Sequence, residues 1–349
     1  MTAVPPRRPA LRRASTYVAA TLALLVGITL AGCGGSSSPS AKSSPTPTPR
    51  SQPIQGGSTL AALWPLTGLP VHTRTPKHPV LAVKIPNTAE SYPQTGMAKA
   101  DMVSEELVEG GITRLAVFYY QKIPGLVGPV RSMRASDIGI VKPLHATIIS
   151  SGAAPPTLHR LQRQHVPYWT GGPGYFRDSS ASPYNLMVHL PELVRHIKRK
   201  PVVPANYLPW GTEKDFSGTH KARHVAVRFS PGHTTEWVYR GGRYTNTNSY
   251  APKNDQFHPD SVLVLRVHEG NAGYRDPAGN PVPETIFQGT GDLMLFHKGQ
   301  VVRGTWHKKK LASRLQLRTA AGPLKVPAGH VWIELTPVDG QGGGVSFGK

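Results

Sequence analysis

Residues 105–114 read EELVEGGITR. The chain has 349 residues, a formal charge of +21 and only 19 acidic residues. Four acids gathered at Asp101, Glu105, Glu106 and Glu109 therefore stand out. The stretch runs into Ile112–Gln121, whose β-branched and aromatic content reads as a buried strand, and the double glycine reads as the turn before it. Glu105 and Glu109 are one turn apart if this stretch is helical and an even step apart if it is extended. Either way they are expected to share a face, with Asp101 in the same row. Two carboxylates on one face can bind a cation or act as acid and base. They can also neutralise Arg114, Arg131 or Arg134, which is the reading a basic chain favours.

Outward from this stretch, residues 64–210 alternate in type. Val80–Ile85 and His145–Ser150 read as strands. Ser132–Val141 and Pro155–Gln164 read as helices, the second with proline in its first turn. Pro183–Lys200 carries Leu186, Leu190, Leu193 and Ile197 at helical spacing, with Pro191 as a break. This order implies a mixed α/β N-terminal domain. Residues 216–349 read differently. Short β-rich runs at Val225–Phe229, Thr235–Tyr239, Val262–Val267, Asp292–His297, Gln300–Trp306, Leu315–Thr319 and Val331–Thr336 are separated by glycine turns. They imply a mostly antiparallel β C-terminal domain, and the fold class is α+β. With 36 glycines and 35 prolines, loops are many.

Residues 1–33 are read as a lipoprotein signal peptide. Arg7, Arg8, Arg12 and Arg13 form a positive leader, and Val18–Leu30 is apolar but short for a membrane span. Leu30-Ala31-Gly32-Cys33 then matches a bacterial lipobox, whose cysteine thiol takes a diacylglycerol and, with it, palmitate-type acyl chains. Cys33 is the single cysteine of the chain. Its lipidation leaves no thiol for disulfides, thiolate zinc sites or cysteine nucleophiles. Residues 34–63 form a Gly/Ser/Pro tether that is too polar to fold. The expected location is the outer face of the bacterial cytoplasmic membrane, anchored through lipid. The basic surface there meets anionic lipid and phosphate-rich polymers. The export signal and the lack of a nucleic-acid motif argue against nucleic acid as a partner.

Further candidates lie beyond Glu105, Glu109 and Arg114. Arg131 and Arg134 flank Ser132-Met133 near a predicted helix start, where two guanidiniums on one side would suit an anion. Arg177, Asp178 and Asn185 follow the glycine-rich run Gly171–Gly174, with Asp178 as an alternative turn cap. His189 and His196, and His220 and His224, lack a visible third metal ligand. Lys308-Lys309-Lys310 reads as a solvated loop. No cofactor motif, metal site, HExxH or GxSxG pattern is read.

Several motifs in one order resemble those of the YerB-like bacterial lipoproteins, which carry two domains of unknown function. They are Pro65-Leu66-Thr67-Gly68-Leu69-Pro70, Glu109-Gly110-Gly111-Ile112-Thr113-Arg114 and Gly128-Pro129-Val130-Arg131-Ser132-Met133-Arg134. Phe176–Ser180 with Asn185, Gly304-Thr305-Trp306 and Val331-Trp332-Ile333 complete the set. The resemblance implies an address and a domain pair, with no established activity. Two positions depart from the family pattern: Pro86 stands before Asn87 where the family usually has Asp, and Ser150-Ser151-Gly152-Ala153 replaces a His/Ser-Gly-Gly turn. The resulting expectation is a lipid-anchored envelope protein, more binder than enzyme. Its partner would be an anionic wall polymer, a phosphorylated sugar or an envelope protein. The competing expectations are an enzyme acting on wall polymers or lipid-linked phosphate intermediates, and a structural partner without a small ligand.

Overall fold

A computed structural model describes residues 62–349. Cys33, the signal peptide and nearly all of the tether lie outside these residues. The first half of the described chain supplies β1 (Leu81–Asn87), β2 (Met102–Leu107), β3 (Thr113–Tyr119), β4 (Thr147–Ile149), β5 (Tyr168–Trp169), β6 (Tyr175–Arg177) and β7 (Leu186–Val188). It also supplies the short helices α1 (Asp137–Val141), α2 (Pro155–Arg163) and α3 (Leu190–His196). The second half supplies β8 (Trp210–Gly211), β9 (His220–Lys221), β10 (His224–Ser230), β11 (His233–Arg240), β12 (Arg243–Asn246), β13 (Ser261–Arg275) and β14 (Pro281–Ile286). It continues with β15 (Gly289–His297), β16 (Gln300–Lys308), β17 (Gln316–Thr319), β18 (Gly322–Pro323), β19 (Val326–Pro327), β20 (Val331–Pro337) and β21 (Gly344–Gly348).

The stretch EELVEGGITR is a β-hairpin. Its first strand is β2, which pairs antiparallel with β3, setting Glu105 opposite Leu115 and Glu106 opposite Arg114. Gly110 and Gly111 make the turn at φ +75° and +73°. This left-handed pair is costly for residues with a Cβ, which is why two glycines stand here.

One mixed sheet dominates, in the order β18-β17-β16-β15-β13-β20-β2-β3-β1-β4-β5, with β14 beside β13 and β9 beside β16. The strand β20 is parallel to both neighbours, β13 and β2, so strands from both halves of the sequence share this sheet. Alternation along each strand sends side chains to two buried faces. One face packs Ala82, Met102 and Phe118 with Ile138 and Ile140 of α1 and Leu161 of α2. The other packs Val83, Val103 and Val117 against a second sheet, β12-β11-β10-β21, through Val227, Phe229, Trp237 and Tyr244.

The α+β reading holds coarsely, but sheet far outweighs helix. Two predicted helices need correction. Residues 131–133 are extended, because their backbone groups are already used: Arg131 N–H donates to Lys84 O, Met133 N–H to Gly152 O, and Arg131 O accepts from Ser151 N–H. The helix therefore begins only at Asp137. The stretch Pro183–Lys200 splits into β7, which pairs with β6, and α3. Pro191 opens that helix rather than breaking one, since a first-turn proline forfeits no internal bond. The motif from Pro65 to Pro70 is a clasp between the two halves. Thr67 O accepts from Gly329 N–H at 2.7 Å, and Pro65 O accepts from the Trp210 indole at 3.0 Å.

Candidate functional site

Because β2 is extended, Glu105 and Glu106 face opposite sides of the sheet. On the α1 side, Glu106 Oε1 lies 2.7 Å from Lys84 Nζ, and Asp137 Oδ1 lies 2.6 Å from the same nitrogen. All three side chains are fully buried. Burial, eased by Lys84 and reinforced by Asp137, pushes the Glu106 carboxyl up to about 7. Asp137 Oδ2 also accepts from the Arg134 backbone N–H at 2.7 Å, which ties the buried ions to the next layer.

That layer is an arginine cluster. Arg134 grips Glu109 with two guanidinium nitrogens. Arg114 donates Nη1–H to Ser132 O at 2.9 Å and sets Nη2 3.7 Å from Glu109. Burial would raise the Glu109 carboxyl, but the hydrogen bond and charge of Arg134 outweigh it and hold it below the usual carboxylate range. Arg114 is only 2% exposed, and burial with Arg134 beside it depresses its guanidinium to about 9. Its Nε has no partner among the described residues.

Arg131 is the freest member. Among the described residues, no hydrogen bond or carboxylate within ion-pair distance engages its guanidinium, which lies over the Tyr184 ring at 5.1 Å. The Ser132 and Ser151 hydroxyls are 3.3 Å apart beside it. Gly152, at φ +127°, leaves open space where a Cβ would stand. The segment holding Arg131 runs between the C-terminal ends of the parallel strands β1 and β4. Arg114 and Arg134 thus share Glu109, and the Arg131 guanidinium stands beside them without a carboxylate of its own. Pro86 of β1 stands in register with Arg114 of β3.

The other face of the hairpin holds a different cluster. Glu105 lies beside Glu334, its register partner on β20. Glu105 accepts from Asn87 Nδ2 at 2.9 Å, Thr113 Oγ1 at 2.6 Å and the Trp332 indole at 3.2 Å, and lies 3.0 Å from His233 Nε2. Glu334 accepts from the Trp237 indole at 2.8 Å. Burial first, then the charge of Glu105, pushes the Glu334 carboxyl well above its usual range. Glu105 is held below its usual range despite its burial, chiefly by His233. The two carboxylates therefore titrate as one unit rather than as independent groups.

Several sequence expectations change. Glu105 and Glu109 do not share a site, because Glu105 faces the second sheet while Glu109 lies in the turn. Asp101 does not join their row; its carboxylate accepts the backbone N–H groups of Tyr120 and Gln121. Arg131 and Arg134 do converge with Arg114 and Glu109, though on extended chain rather than at a helix start. Arg177 and Asn185 bond each other at 2.6 Å on the neighbouring β6–β7 hairpin, while Asp178 caps its turn by accepting from Ser180 N–H. Lys308 is buried, not solvated: it donates to backbone carbonyls of Lys310 and Leu311, and burial depresses it to about 7. Among the described residues, no group of three or more His, Cys, Asp and Glu side chains is arranged for a metal.

Sequence reasoning missed Lys84, Asp137 as its partner, Asn87, His233 and Glu334. A lysine inside the apolar run LAVKI was a usable signal for a buried ion pair. The alternation in VWIEL likewise puts Glu334 on a face shared with Trp332. His233 carries no such signal, since it reaches the cluster only through the packing of one sheet on another.

Family models describing the N-terminal and C-terminal domains of a protein of unknown function (DUF3048) match residues 66–203 and 225–333. Over 286 residues the chain is 24% identical to "Putative lipoprotein YerB" of Bacillus subtilis (strain 168), covering 78% of this chain and 86% of that protein. The crystal structure of YerB from Bacillus subtilis superposes with a TM-score of 0.67 at 20% identity, over 82% of this chain and 99% of that one. At that identity the likeness bears on fold alone. Among the described residues no helix is long and apolar enough to cross a membrane.

Proposed function

The chain belongs to the DUF3048 family of proteins of unknown function through both of its domains, and on that premise we propose that it is a lipid-anchored envelope protein that binds an anionic ligand at the arginine cluster. The lipobox ending at Cys33 and the lipoprotein name of the B. subtilis relative support the anchor. The observation that carries the binding reading is the unpaired guanidinium of Arg131, beside two more arginines that share only Glu109. An arginine without a counter-charge retains donors for a phosphate or carboxylate. Glu109 acts as a positioning residue that holds Arg134 and steadies Arg114. The outer leaflet, with its anionic lipid and wall polymers, is the setting in which such a site would be supplied with ligand.

Thermal-shift titration at low salt tests this, with inorganic phosphate, phosphorylated sugars and wall-polymer fragments as probes. At least one probe should stabilise the parent and leave Arg131→Gln unmoved. No shift with any probe, or equal shifts in parent and variant, overturns the reading.

A further inference from the structure

A cavity of ≈ 340 Å³ lies away from the arginine cluster, between the ends of α1 and α2. Its floor is apolar: Val141, Ala146 and Val166 are buried, and Pro167 is half-buried. Its rim is cationic, formed by Lys142, His145, His165 and Arg199, and no carboxylate lines it. Among the described residues, none of these four side chains has an ion-pair partner. Lys142 Nζ donates to the neutral Gln164 Oε1 at 2.5 Å, and Arg199 Nη1 donates to His145 O at 3.0 Å.

The backbone that places the rim is unusual. His145 closes the turn after α1 at φ +51°, and His165 ends α2 at φ +53°. Left-handed backbone is uncommon for residues other than glycine. The C-terminal end of α2 also opens here and contributes a partial negative charge, about half a unit. The rim's two permanent cations exceed it.

We propose that this cavity binds a single-chain anionic amphiphile, with its acid group at the rim and its alkyl chain on the floor. A bare anion would leave the floor unused, and a neutral chain would leave the rim uncompensated. Only a ligand with both parts uses the whole surface, since apolar burial and charge pairing then act together. The site shares no residue with the arginine cluster and stands or falls separately from it.

Calorimetric titration with decanoate tests it, alongside acetate and decyltrimethylammonium as controls, all below micelle-forming concentrations. Decanoate should bind one per chain and at least about tenfold more tightly than either control. The double variant His165→Asn/Arg199→Gln, in which asparagine tolerates the positive φ, should weaken decanoate by roughly tenfold. Ala312→Trp, a substitution at an exposed rim position, should abolish binding while circular dichroism stays unchanged. Binding of acetate or the ammonium as tight as decanoate overturns the proposal, as does undiminished decanoate binding in the folded Ala312→Trp protein.

Discussion

Lys84 sits between two carboxylates with no exposed surface, and its removal would leave Glu106 and Asp137 facing each other in the core. Breaking a buried ion pair by deleting one partner typically costs roughly 3–5 kcal/mol. Lys84→Met should therefore lower stability by about that amount in urea titration, and an unchanged midpoint would show the three ions to be solvated. Glu269 allows a pH prediction. Burial pushes its carboxyl up from 4.5 to about 8, against an opposing hydrogen bond from Thr285. The folded state then keeps a proton that the unfolded chain gives up near pH 4.5. The stability this contributes is present below pH 4.5 and lost as pH rises through 8. Glu269→Gln should flatten the fall in thermal midpoint between pH 4.5 and 8, and a slope equal to the parent's would remove Glu269 as its source. Arginine positions were legible as residues, because arginine near glycine and serine is a readable anion signal. The pairing of Glu109 with these arginines was likewise open to sequence reasoning, but the Lys84–Glu106–Asp137 group was not, since it meets across elements that the sequence does not place side by side.

At the level of elements, the β2–β3 hairpin was half legible. The double glycine marked the turn and Ile112–Gln121 marked the second strand. Helix and strand remained equal choices for residues 101–109, since an interval of four fits both periods. The structure decides it through pairing with β20, a contact more than two hundred residues away in sequence. The same physics explains the misplaced helix at Ser132: local propensity lost to backbone partners supplied by Lys84 and Gly152. Close packing of strands also makes an element-scale prediction. A Cβ on Gly304 in β16 would stand 2.1 Å from Arg318 O in β17. Gly304→Ala should cost roughly 1–3 kcal/mol and raise hydrogen exchange in β17 before β15. Uniform exchange in the variant would show that the two strands are not pressed together there.

Across the whole molecule, the two family segments occupy opposite flanks of one sheet and meet once, where β20 fills the slot between β13 and β2. The strand character of residues 216–349 was legible from alternation, but the joining of both segments into one sheet was not, since no local pattern records which strand neighbours which. A fragment of residues 62–215 would leave β2 with an open, apolar edge. Expressed alone, it should show no cooperative thermal transition, and co-expression with residues 216–349 should restore one. A sharp transition in the lone fragment would show that β20 is dispensable to the first segment. The slot also imposes an order in time. Synthesis proceeds from the first residue, so β2 is made long before β20, and it must wait with one edge unsatisfied until residue 337 has emerged. A ribosome or export channel that releases the chain progressively would thus deliver a long-lived, aggregation-prone intermediate. Holding the chain unfolded until nearly all of it is free would avoid that hazard, so the rate of release, more than the final stability, should govern the yield of folded protein.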